Sequence, residues 1–576
     1  MAVSFGVAKV ILSDGTVVEP PLNGITVFTG PNNSGKSLLL REIVTRIHHY
    51  PGTMDPVRWV EGIQIHQEGT SEELISGLQE RGCEARYHRV DGRTYLPGRI
   101  HTDGPGVDTE AAAANWNAAS FQILSHLLVN DQWTDQRLSS QGESNTWDQL
   151  LPPNHPVQRL WEDKEVHARF SQLFENAFGE PITINRYVPQ IRLQIGSVGM
   201  ADTPPPASPE LRAAYAALPY LSEQGDGVRA FANILLHAFV RPAPVIVIDE
   251  PEAFLHPPQA RLLGRYLSLY TPSPCQVIVA THSADFLSGV LEGNAASATD
   301  SPRSLALVRI SRANGTVAAR SLAPESVTEI LDTPLLRYSN IVSGLFHDGV
   351  VLCEAEGDCH FYAANFDAVR GAGRYENITF LHVNGKARLG DAAQKLRTCG
   401  IPTAIVADFD LLNDAAKIKQ IMAQLGGVWE DIRDDVIALQ RHAASSVIAT
   451  PANDLKKNID GIIGNPRGAT TLSQNQIDKI SAALKAANGW KFLKASGVTA
   501  LSGEPHNAAQ RLLSYFANLG IFLVPVGELE CWIRALPATN KSLWLTRVFE
   551  EGYYKAPSVE LRDFSISITR YLAGGE

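Results

Sequence analysis

The chain has 576 residues, of which 44% are hydrophobic and 19% are charged, and its formal net charge is −11 at pH 7. The length predicts roughly three to four domains, and the composition excludes a disordered or membrane-embedded chain. The acidic balance does not favour nucleic-acid binding through overall charge, although a local basic groove stays open as an alternative.

The cysteines and the N-terminus bear on the compartment. Six cysteines are scattered along the chain without a Cys-x-x-Cys pair, which argues against a zinc site and a disulfide framework. The N-terminal residues lack a basic segment followed by a long apolar stretch, so no signal peptide is predicted. No apolar run is long enough to span a bilayer. We therefore expect a cytoplasmic protein that has no membrane partner.

The first 50 residues predict a hairpin and then a strand, a loop and a helix. Residues 3–12 and 16–19 flank a turn at Asp14-Gly15. An apolar strand at 24–29 leads into the run Gly30-Pro-Asn-Asn-Ser-Gly-Lys-Ser37, and residues 38–48 have helical spacing. A glycine-rich loop in this setting is typical of a P-loop, whose backbone N–H groups wrap phosphates.

The P-loop assigns roles to particular residues. We predict that Gly30, Asn33 and Gly35 line the phosphates of ATP. Lys36 is expected to reach the β- and γ-phosphates, and Ser37 is expected to bind Mg²⁺.

Two later strand ends complete a nucleotide-hydrolysis set. The apolar run 245–248 leads to Asp249 and Glu250. Asp249 is predicted to bind Mg²⁺, and Glu250, which would point the other way on the pleat, is predicted to be the base for the attacking water. His282 ends the next apolar run and is predicted to contact the γ-phosphate.

A small-residue segment at 222–227 precedes a predicted helix. Such a segment suits the capture of a second nucleotide phosphate at a helix N-terminus. Its candidate contact residues are Ser222, Gly225 and Gly227.

The rest of the first half gives a coarser pattern. We place an insertion at about 50–210 and the end of the first domain near residue 340. Further elements are predicted in this order: a hairpin turn at 89–93, helix over 108–130, a loop at 139–145, strand over 182–195, a proline-rich connector at 203–209, helices at 209–218 and 228–240, a strand at 276–281 and a hairpin at 303–322 about Asn314-Gly315.

From residue 349 the pattern alternates strands with helices, which predicts a parallel sheet. The strands are predicted at 350–354, 378–384, 402–410 and 520–527, with helices at 359–370 and 387–399. Residues 411–515 are mostly helical and interrupt the strand order as an insertion. Parallel sheets place functional groups at the carboxyl ends of their strands.

Acidic residues stand at these strand ends. Glu354 and Asp358 are four apart, and Asp408 and Asp410 are two apart, so the latter would share one side of an extended segment. Glu530 is a further candidate and is preferred over its neighbour, residue 528. Clustered carboxylates bind Mg²⁺ or Mn²⁺, which supports phosphodiester chemistry. This hypothesis requires Glu354 to lie within about 10 Å of the Asp408/Asp410 pair, because metal ligands lie within a few Å of a shared ion.

Two resemblances follow from these motifs. The set 30–37, 222–227, 249–250 and 282 resembles ABC-type ATPase heads, although residues 222–227 depart from the usual Leu-Ser-Gly-Gly-Gln. This resemblance implies a homodimer that sandwiches ATP. The acidic order of the second half resembles the Toprim fold of topoisomerases, primases and certain nucleases, with Ala355 where glycine is usual. It implies a catalytic lysine, for which Lys541 is the first candidate and Lys386 the second.

Together the two parts resemble the OLD (overcoming lysogenization defect) family, which includes Gabija-type nuclease–ATPases and retron-associated effectors. The phrase Asp249-Glu-Pro-Glu-Ala-Phe-Leu-His-Pro257 fits that family. The resemblance implies an α/β chain with an ABC-type P-loop ATPase domain over 1–340 and a Toprim domain over 341–576. It further implies a metal-dependent DNA endonuclease, governed by ATP and commonly used in defence against phage. The implied catalytic residues are Glu250, Glu354, Asp408, Asp410 and Lys541.

Other functions stay open at this point. A Toprim ribonuclease acting on tRNA or another RNA would have the same fold. A non-cutting ATP sensor could act through a partner such as a helicase or a retron reverse transcriptase with its msDNA. A topoisomerase is disfavoured, because no accompanying domain with a recognisable tyrosine context is seen.

Overall fold

A computed structural model divides the chain into two compact units, Met1–Thr328 and Glu329–Glu576. The described residues run from 3 to 574, apart from 53–57, 81–83, 87–88, 91–93, 96–98, 102–105, 139–141, 148–152, 154, 202, 204–205, 241–242, 298–302, 314–315, 333–340, 371–376, 446–451, 465–470, 487–488 and 537–540. Several predicted features lie outside the described residues: positions 91–93 of the hairpin turn predicted at 89–93, the turn Asn314-Gly315, part of the proline-rich connector and the boundary near residue 340.

The strands of the first unit are, in chain order, β1 (Ser4–Leu12), β2 (Val17–Val18), β3 (Gly24–Thr29), β4 (Val60–Glu68), β5 (Glu84–Arg86), β6 (Arg89–Val90), β7 (Thr94–Tyr95), β8 (Arg99–His101), β9 (Val107–Asp108), β10 (Val129–Gln132), β11 (Glu143–Asn145), β12 (Ile182–Ile184), β13 (Gln190–Ile195), β14 (Val245–Asp249), β15 (Gln276–Ala280), β16 (Ser304–Ala313) and β17 (Thr316–Leu322).

The helices of this unit are α1 (Lys36–His48), α2 (Ser71–Glu80), α3 (Thr109–Asn117), α4 (Ser125–Leu128), α5 (Pro156–Glu162), α6 (Lys164–Phe178), α7 (Pro209–Ala217), α8 (Asp226–Leu235), α9 (Pro257–Tyr270), α10 (Ala284–Ala295) and α11 (Pro324–Asp332), the last of which contains the boundary. A π-helical turn (Leu236–Val240) continues α8.

The main sheet of the first unit has the strand order β10-β14-β15-β3-β16-β17 among the described residues. All its neighbouring pairs are parallel except the β16–β17 hairpin. Every residue of β3, β14 and β15 is buried, as expected for parallel strands that are covered on both faces. Asp249 pairs with Ala280, and Ala280 pairs with Phe28. The segments that follow these three strands therefore begin at one edge of the sheet.

Helix α1 anchors that edge to the hydrophobic core. Its residues Leu39, Ile43 and Ile47 recur at helical spacing and are completely buried. They belong to a cluster that also contains Phe121 and Trp116. The buried apolar face fixes the start of α1, and thereby the loop before it, against the sheet.

Sequence patterns misplaced several elements of the first unit. The region 108–130 is not one helix, because α3 ends at Asn117 and residue Val129 already begins strand β10. The predicted loop at 139–145 contains strand β11, which pairs with β13. The alternation over 182–195 is a hairpin of β12 and β13. In each case tertiary pairing overrode a weak local signal.

The second unit contains the strands β18 (Gly349–Cys353), β19 (Ile378–His382), β20 (Thr403–Ala407) and β21 (Ile521–Leu523). Its helices are α12 (Glu356–Arg370), α13 (Leu389–Thr398), α14 (Ala415–Leu425), α15 (Trp429–Ala444), α16 (Ala452–Ile463), α17 (Gln474–Ala486), α18 (Gly489–Ser496), α19 (Glu504–Asn518), α20 (Lys541–Glu550) and α21 (Val559–Leu572).

The sheet of the second unit has the order β19-β18-β20-β21 and every pair is parallel. Both the parallel sheet and the α/β class are thus confirmed, as is the mostly helical segment between β20 and β21. Its core includes Phe361, Tyr362 and Trp544, each at most 1% exposed. Within the described part of the chain, no helix has the length and apolar character that crossing a membrane requires.

One predicted strand of this unit ends early. β20 stops at Ala407, and a 3₁₀ turn spans Phe409–Asn413. Asp408 has an extended backbone, whereas Asp410 lies in the turn. The expectation that both share one side of an extended segment was therefore wrong.

Helices α9 and α10 cross at glycines. A Cβ atom added to Gly289 would lie 1.8 Å from the Arg261 carbonyl oxygen, and one added to Gly264 would lie 2.3 Å from the Phe286 carbonyl oxygen. Both contacts are with backbone atoms, so a side chain would force the helices apart. By contrast, a Cβ at Gly77 in helix α2 meets nothing within 4 Å.

We expect Gly289→Ala to destabilise the first unit by about 1–3 kcal/mol, because the two helix backbones must separate. Gly77→Ala is the matched control and should be neutral or stabilise by about 0.5–1 kcal/mol. Thermal unfolding followed by circular dichroism measures both. Equal midpoints for the two variants would contradict the close crossing.

Candidate functional site

The loop 30–37 has the backbone of a phosphate cradle. Gly30, Asn33 and Gly35 have positive φ angles of 145°, 63° and 96°. A Cβ at Gly30 would lie 2.0 Å from the Ile310 carbonyl oxygen, and one at Gly35 would lie 2.4 Å from the ring of Trp59. Glycine is therefore required at both positions. Helix α1 starts directly after Gly35, which leaves its first N–H groups available to an anion.

Lys36 folds its side chain over this loop. Its ammonium group donates to the carbonyl oxygens of Gly30 at 2.9 Å and Pro31 at 2.8 Å. Only 6% of Lys36 is exposed. Burial lowers the pKa of Lys36, and the nearby charges of Glu250, Glu252 and Asp249 act in the opposite direction. The Lys36 ammonium group therefore lies within the loop 30–37, where it could contact a bound phosphate.

Ser37 and Asp249 form a pair at the end of β14. The Ser37 hydroxyl donates to Asp249 Oδ1 at 2.9 Å. Asp249 is 5% exposed, and this burial raises the pKa of its carboxyl group although the bond from Ser37 opposes the shift. A hydroxyl and a carboxylate in contact are the protein ligands that Mg²⁺ takes at a P-loop.

Glu250 leaves the strand with an unusual backbone. Its φ is 47°, and its N–H donates to the Ala280 carbonyl oxygen at 2.8 Å. It therefore does not continue the pleat alternation that the sequence predicted. Its Oε1 lies 3.3 Å from Nδ1 of His282. This close contact raises the pKa of His282 and lowers that of Glu250, so the pair favours imidazolium and carboxylate.

Two further residues of this site were missed. Glu252 is 7% exposed and accepts hydrogen bonds from the Thr281 hydroxyl and the His282 N–H, both at 2.8 Å. Arg137 is 1% exposed and donates to the Glu250 carbonyl oxygen at 2.8 Å. Glu252 lies in the quoted phrase 249–257, so its acidity was a usable signal. No sequence pattern points to Arg137.

The segment 222–227 stands beside this edge but is less regular than predicted. A 3₁₀ turn covers Leu221–Glu223, and α8 begins at Asp226. The Ser222 hydroxyl donates to Glu143 Oε1 at 3.0 Å. A Cβ at Gly227 would lie 2.4 Å from the Phe254 carbonyl oxygen, whereas Gly225 has open surroundings. Gly227 therefore serves close packing against the loop after Glu250.

The predicted acidic residues of the second unit come together at the carboxyl edge of its sheet. Glu354 directly follows β18, and Asp408 directly follows β20. Glu354 Oε1 accepts the Asp408 N–H at 3.2 Å. This contact is far inside the distance of about 10 Å that a shared metal site permits.

Lysines bridge these carboxylates. Lys494 Nζ lies 3.2 Å from Asp408 Oδ2, 3.3 Å from Asp410 Oδ2 and 3.5 Å from Glu528 Oε2. Lys386 contacts Asp410 and lies 3.6 Å from Glu354 Oε1. Four carboxylates therefore lie around two ammonium groups.

Crowding shifts the protonation of this cluster. Burial, together with the charge of Asp408, raises the pKa of Glu354 to about 7. Burial also raises the pKa of Asp408, against the opposing charges of Lys494 and Lys386. Burial acts in the same direction on Asp410, but its hydrogen bond and ion pairs with the two lysines outweigh it and lower the pKa. Negative charge at Glu354 and Asp408 is only partly compensated.

Asp358 and Lys541 form a second pair close by. Lys541 Nζ lies 2.9 Å from Asp358 Oδ1, and Asp358 Oδ2 accepts the Ala355 N–H at 3.1 Å. Glu530 is 8% exposed, and its charge is one of those that raise the pKa of Lys541 against the effect of burial. Of the two candidate glutamates, Glu528 shares Lys494 with the aspartates, whereas the charge of Glu530 acts on Lys541.

The donor set has the chemistry of a Mg²⁺ or Mn²⁺ site, because it consists of carboxylate oxygens with incompletely compensated charge. In the described part of the chain, however, no three Asp, Glu, His or Cys side chains are arranged as a ready-made metal-binding group. Lys386 and Lys494 stand between the carboxylates instead. The residues therefore suit a Mg²⁺ or Mn²⁺ ion in their ligand type and in their closeness to one another, but they are not arranged as a finished coordination site.

Sequence reasoning missed Lys494 altogether. It lies on α18, within the segment 411–515 that carried no functional assignment. A Cβ at Gly527 would lie 2.0 Å from the Lys494 carbonyl oxygen, so Gly527 permits this helix to approach the acidic edge. A lone lysine in a helical insertion has no motif, and only the fold assigns it to the site.

Comparisons with known proteins match both halves of the chain. Residues 46–288 match the family described as "AAA domain, putative AbiEii toxin, Type IV TA system". Residues 345–410 match the family described as "Overcoming lysogenization defect protein-like, TOPRIM domain". The latter range contains Glu354, Asp358, Asp408 and Asp410.

A curated relative and two solved structures are similar to parts of the chain. The Old nuclease of Escherichia phage P2 is 29% identical over 178 residues, which are 30% of this chain and 28% of that protein. The chain thus spans about a quarter of that relative's length. The SMC head bound to the C-terminal winged-helix domain of ScpA is 14% identical with a TM-score of 0.32, and covers 56% of this chain and 99% of its own. The SMC head domain from Thermotoga maritima is 13% identical with a TM-score of 0.25, and covers 56% of this chain and 100% of its own.

The two matched regions follow the order of the two sites described above. The AAA-domain match begins after the P-loop and contains Asp249, Glu250 and His282, and it precedes the Toprim match, which contains the acidic edge of the second unit. The chain is thus similar to an AAA-type ATPase domain in its first half and to an OLD-like Toprim domain in its second.

Proposed function

We propose that this chain is an ATP-controlled, metal-dependent endonuclease that cuts DNA in defence against phage. The observation that carries the proposal is the meeting of Glu354, Asp408 and Asp410 around two lysines at one sheet edge. The name of the P2 relative, a nuclease, supports it. So does the complete P-loop set in the same chain.

In the ATPase unit, each side chain has a chemical task. Lys36 and the N–H groups of the loop hold the β- and γ-phosphates. Ser37 and Asp249 together hold the Mg²⁺ that accompanies ATP. Glu250 accepts the proton of the attacking water, and its close contact with His282 keeps the carboxylate in the ionised state that a base needs.

In the Toprim unit, the residues that would hold Mg²⁺ or Mn²⁺ are Glu354, Asp358, Asp408, Asp410 and either Glu528 or Glu530. When bound there, such an ion supplies charge stabilisation for the attacking and leaving oxygens of a phosphodiester. The ammonium groups of Lys494 and Lys541 remain beside the carboxylates and can pair with the scissile phosphate.

ATP acts as a regulator in this proposal and not as a reactant at the cleaved bond. The segment 222–227 of one copy completes the P-loop site of a second copy, so the protein works as a homodimer. Dimerisation of the ATPase units then changes how the two Toprim units engage DNA.

One assay distinguishes DNA cutting from its alternatives. Purified protein is incubated with plasmid, linear DNA and total RNA, with Mg²⁺ or Mn²⁺ and with or without ATP. Cutting of DNA supports the proposal, and cutting of RNA alone replaces DNA by RNA as the substrate. No cutting of any polymer under any condition overturns the nuclease proposal.

We expect Asp408→Asn to lower the cleavage rate at least about 100-fold, because a buried ligand carboxylate loses its charge. ATP hydrolysis should stay unchanged. Asp434→Asn is the matched control, since the Asp434 side chain is 87% exposed on helix α15. Cleavage by Asp408→Asn at the wild-type rate would place the chemistry elsewhere.

Glu250→Gln should lower the rate of ATP hydrolysis by about 10²–10⁴-fold, because the base is lost. ATP binding should persist, since Lys36 and the loop are untouched. Lys36→Ala should instead abolish both binding and hydrolysis and change the rate of DNA cutting. Nucleotide affinity is measured by isothermal calorimetry and hydrolysis by phosphate release; a Glu250→Gln protein that hydrolyses normally would remove Glu250 from its role.

Metal affinity should depend on pH near neutrality. The pKa of Glu354, ordinarily 4.5, is raised to about 7, so between these values the folded protein holds a proton that the unfolded chain releases. The contribution of the protonated Glu354 carboxyl to folding stability is therefore lost as pH rises through 7. Below pH 7, Mn²⁺ must displace the proton from this carboxyl group in order to bind. We expect Mn²⁺ affinity, followed by electron paramagnetic resonance, to fall up to about tenfold per pH unit below 7 and to level off above it.

Glu354→Gln tests the assignment of this proton. The variant should bind Mn²⁺ more weakly but with a shallower pH dependence, because the residue that exchanges its proton for metal is gone. A wild-type affinity that is constant from about pH 6 to about pH 8 would contradict the raised pKa.

A further inference from the structure

Arg137 connects the two acidic residues of the ATPase site through their main chain. Its Nη2 donates to the Glu250 carbonyl oxygen at 2.8 Å and to the Thr134 hydroxyl at 2.9 Å. The Thr134 hydroxyl in turn donates to the Asp249 carbonyl oxygen at 3.1 Å. One guanidinium thus fixes the backbone of the predicted base and, through a threonine, that of the predicted Mg²⁺ ligand.

The same residue is held from its other side by helix α8. The Asn233 amide donates to the Arg137 carbonyl oxygen at 2.9 Å, and the Arg229 guanidinium bonds to the carbonyl oxygen of Leu138. Helix α8 is the helix that the segment 222–227 opens. A continuous chain of bonds therefore leads from α8 through Arg137 to Glu250.

A role in packing alone does not account for this arginine. It is 1% exposed, and its Nε and Nη1 atoms have no hydrogen-bond partner among the described residues. Burying a guanidinium with unused N–H groups is costly, and an apolar side chain of similar length would fill the space without that cost. The carboxylates of Asp249, Glu250 and Glu252 offset part of it through their charge.

The backbone conformation of Glu250 explains why a hydrogen bond from Arg137 to its carbonyl oxygen matters. Glutamate at a φ of 47° is in the left-handed region, which costs free energy unless the surroundings hold it. Two hydrogen bonds hold the main chain of Glu250 in this conformation: its carbonyl oxygen accepts from Arg137, and its N–H donates to the Ala280 carbonyl oxygen. The position of the Glu250 carboxylate beside His282 depends on these two bonds.

We propose that Arg137 is a positioning residue for ATP hydrolysis, whose guanidinium holds the main chain of Glu250 and links it to helix α8. A displacement of the segment 222–227 when two copies pair is thereby transmitted to the base. This inference rests on the proposed hydrolysis of ATP at the P-loop, and goes beyond it by assigning a residue that does not touch nucleotide.

The test compares Arg137→Lys and Arg137→Met with wild type in the full-length protein. We expect kcat for ATP hydrolysis to fall about 10–100-fold in both, with KM and ATP affinity within about twofold, because the phosphate-binding groups are intact. Arg303→Lys is the matched control, since Arg303 also bonds two main-chain carbonyls, of Leu267 and Pro272, at 3.3 and 3.1 Å. It should change thermal stability without changing kcat.

A second variant tests the link to α8 and remains usable if both Arg137 variants fold poorly. Asn233→Ala breaks the bond to the Arg137 carbonyl without removing a charge, and it should lower kcat about 3–10-fold with unchanged ATP affinity. Combined with Arg137→Lys, it should lower kcat by less than the product of the two single effects.

The outcomes separate the two proposals. A wild-type protein that binds but never hydrolyses ATP overturns the proposed ATPase function and the inference with it. Wild-type hydrolysis with an unchanged kcat in folded Arg137→Met, or in Asn233→Ala when Arg137 variants do not fold, overturns the inference alone. A loss of kcat that Arg303→Lys reproduces would assign Arg137 a purely structural role.

Discussion

Like charges gathered at the carboxyl edges of two parallel sheets are the constraint on which the rest of the structure depends. In the first unit Asp249 ends strand β14, and Glu250 and Glu252 come directly after it; in the second, Glu354 and Asp408 directly follow the neighbouring strands β18 and β20. Burial of such groups raises the free energy of the folded chain unless cations or hydrogen-bond donors stand beside them. Each edge is therefore surrounded by basic side chains, and their sources explain much of the remaining architecture.

The basic side chains at the two sheet edges come from different kinds of segment. The P-loop supplies Lys36 from the helix that directly follows the central strand, so cation and cradle come from one local motif. The acidic edge of the second unit has no such local source. Its lysines come from a 3₁₀ turn after β19, from α18 in the helical insertion, and from the start of α20: Lys386, Lys494 and Lys541 respectively. A site assembled in this way is sensitive to any movement of the inserted helices.

Insertions complete both sites. Arg137 belongs to the region between the P-loop and the Asp249 strand, and Lys494 belongs to the region between β20 and β21. Lys494 forms ion pairs with Asp408 and Asp410, and Gly527 leaves room for the helix that carries it. Arg137 donates to the Glu250 carbonyl oxygen. Segments that carry no recognisable motif thus help to position the acidic residues of both edges and to compensate their charge.

The sequence by itself determined the α/β class, the parallel sheet of the second unit, and the acidic residues at the strand ends of both units. A P-loop and the order of acidic strand ends are local patterns with a defined chemical reason, and strands such as β3 and β18 are uniformly apolar because both faces are covered. Only the tertiary structure decided the 3₁₀ turn at Asp410, the positive φ of Glu250, and the positions of Lys494 and Arg137 in the two sites. The two basic side chains reach their sites through contacts between residues more than 80 positions apart, Lys494 with Asp408 and Arg137 with Glu250. Hydrophobic periodicity is a local property of the sequence and does not predict such contacts.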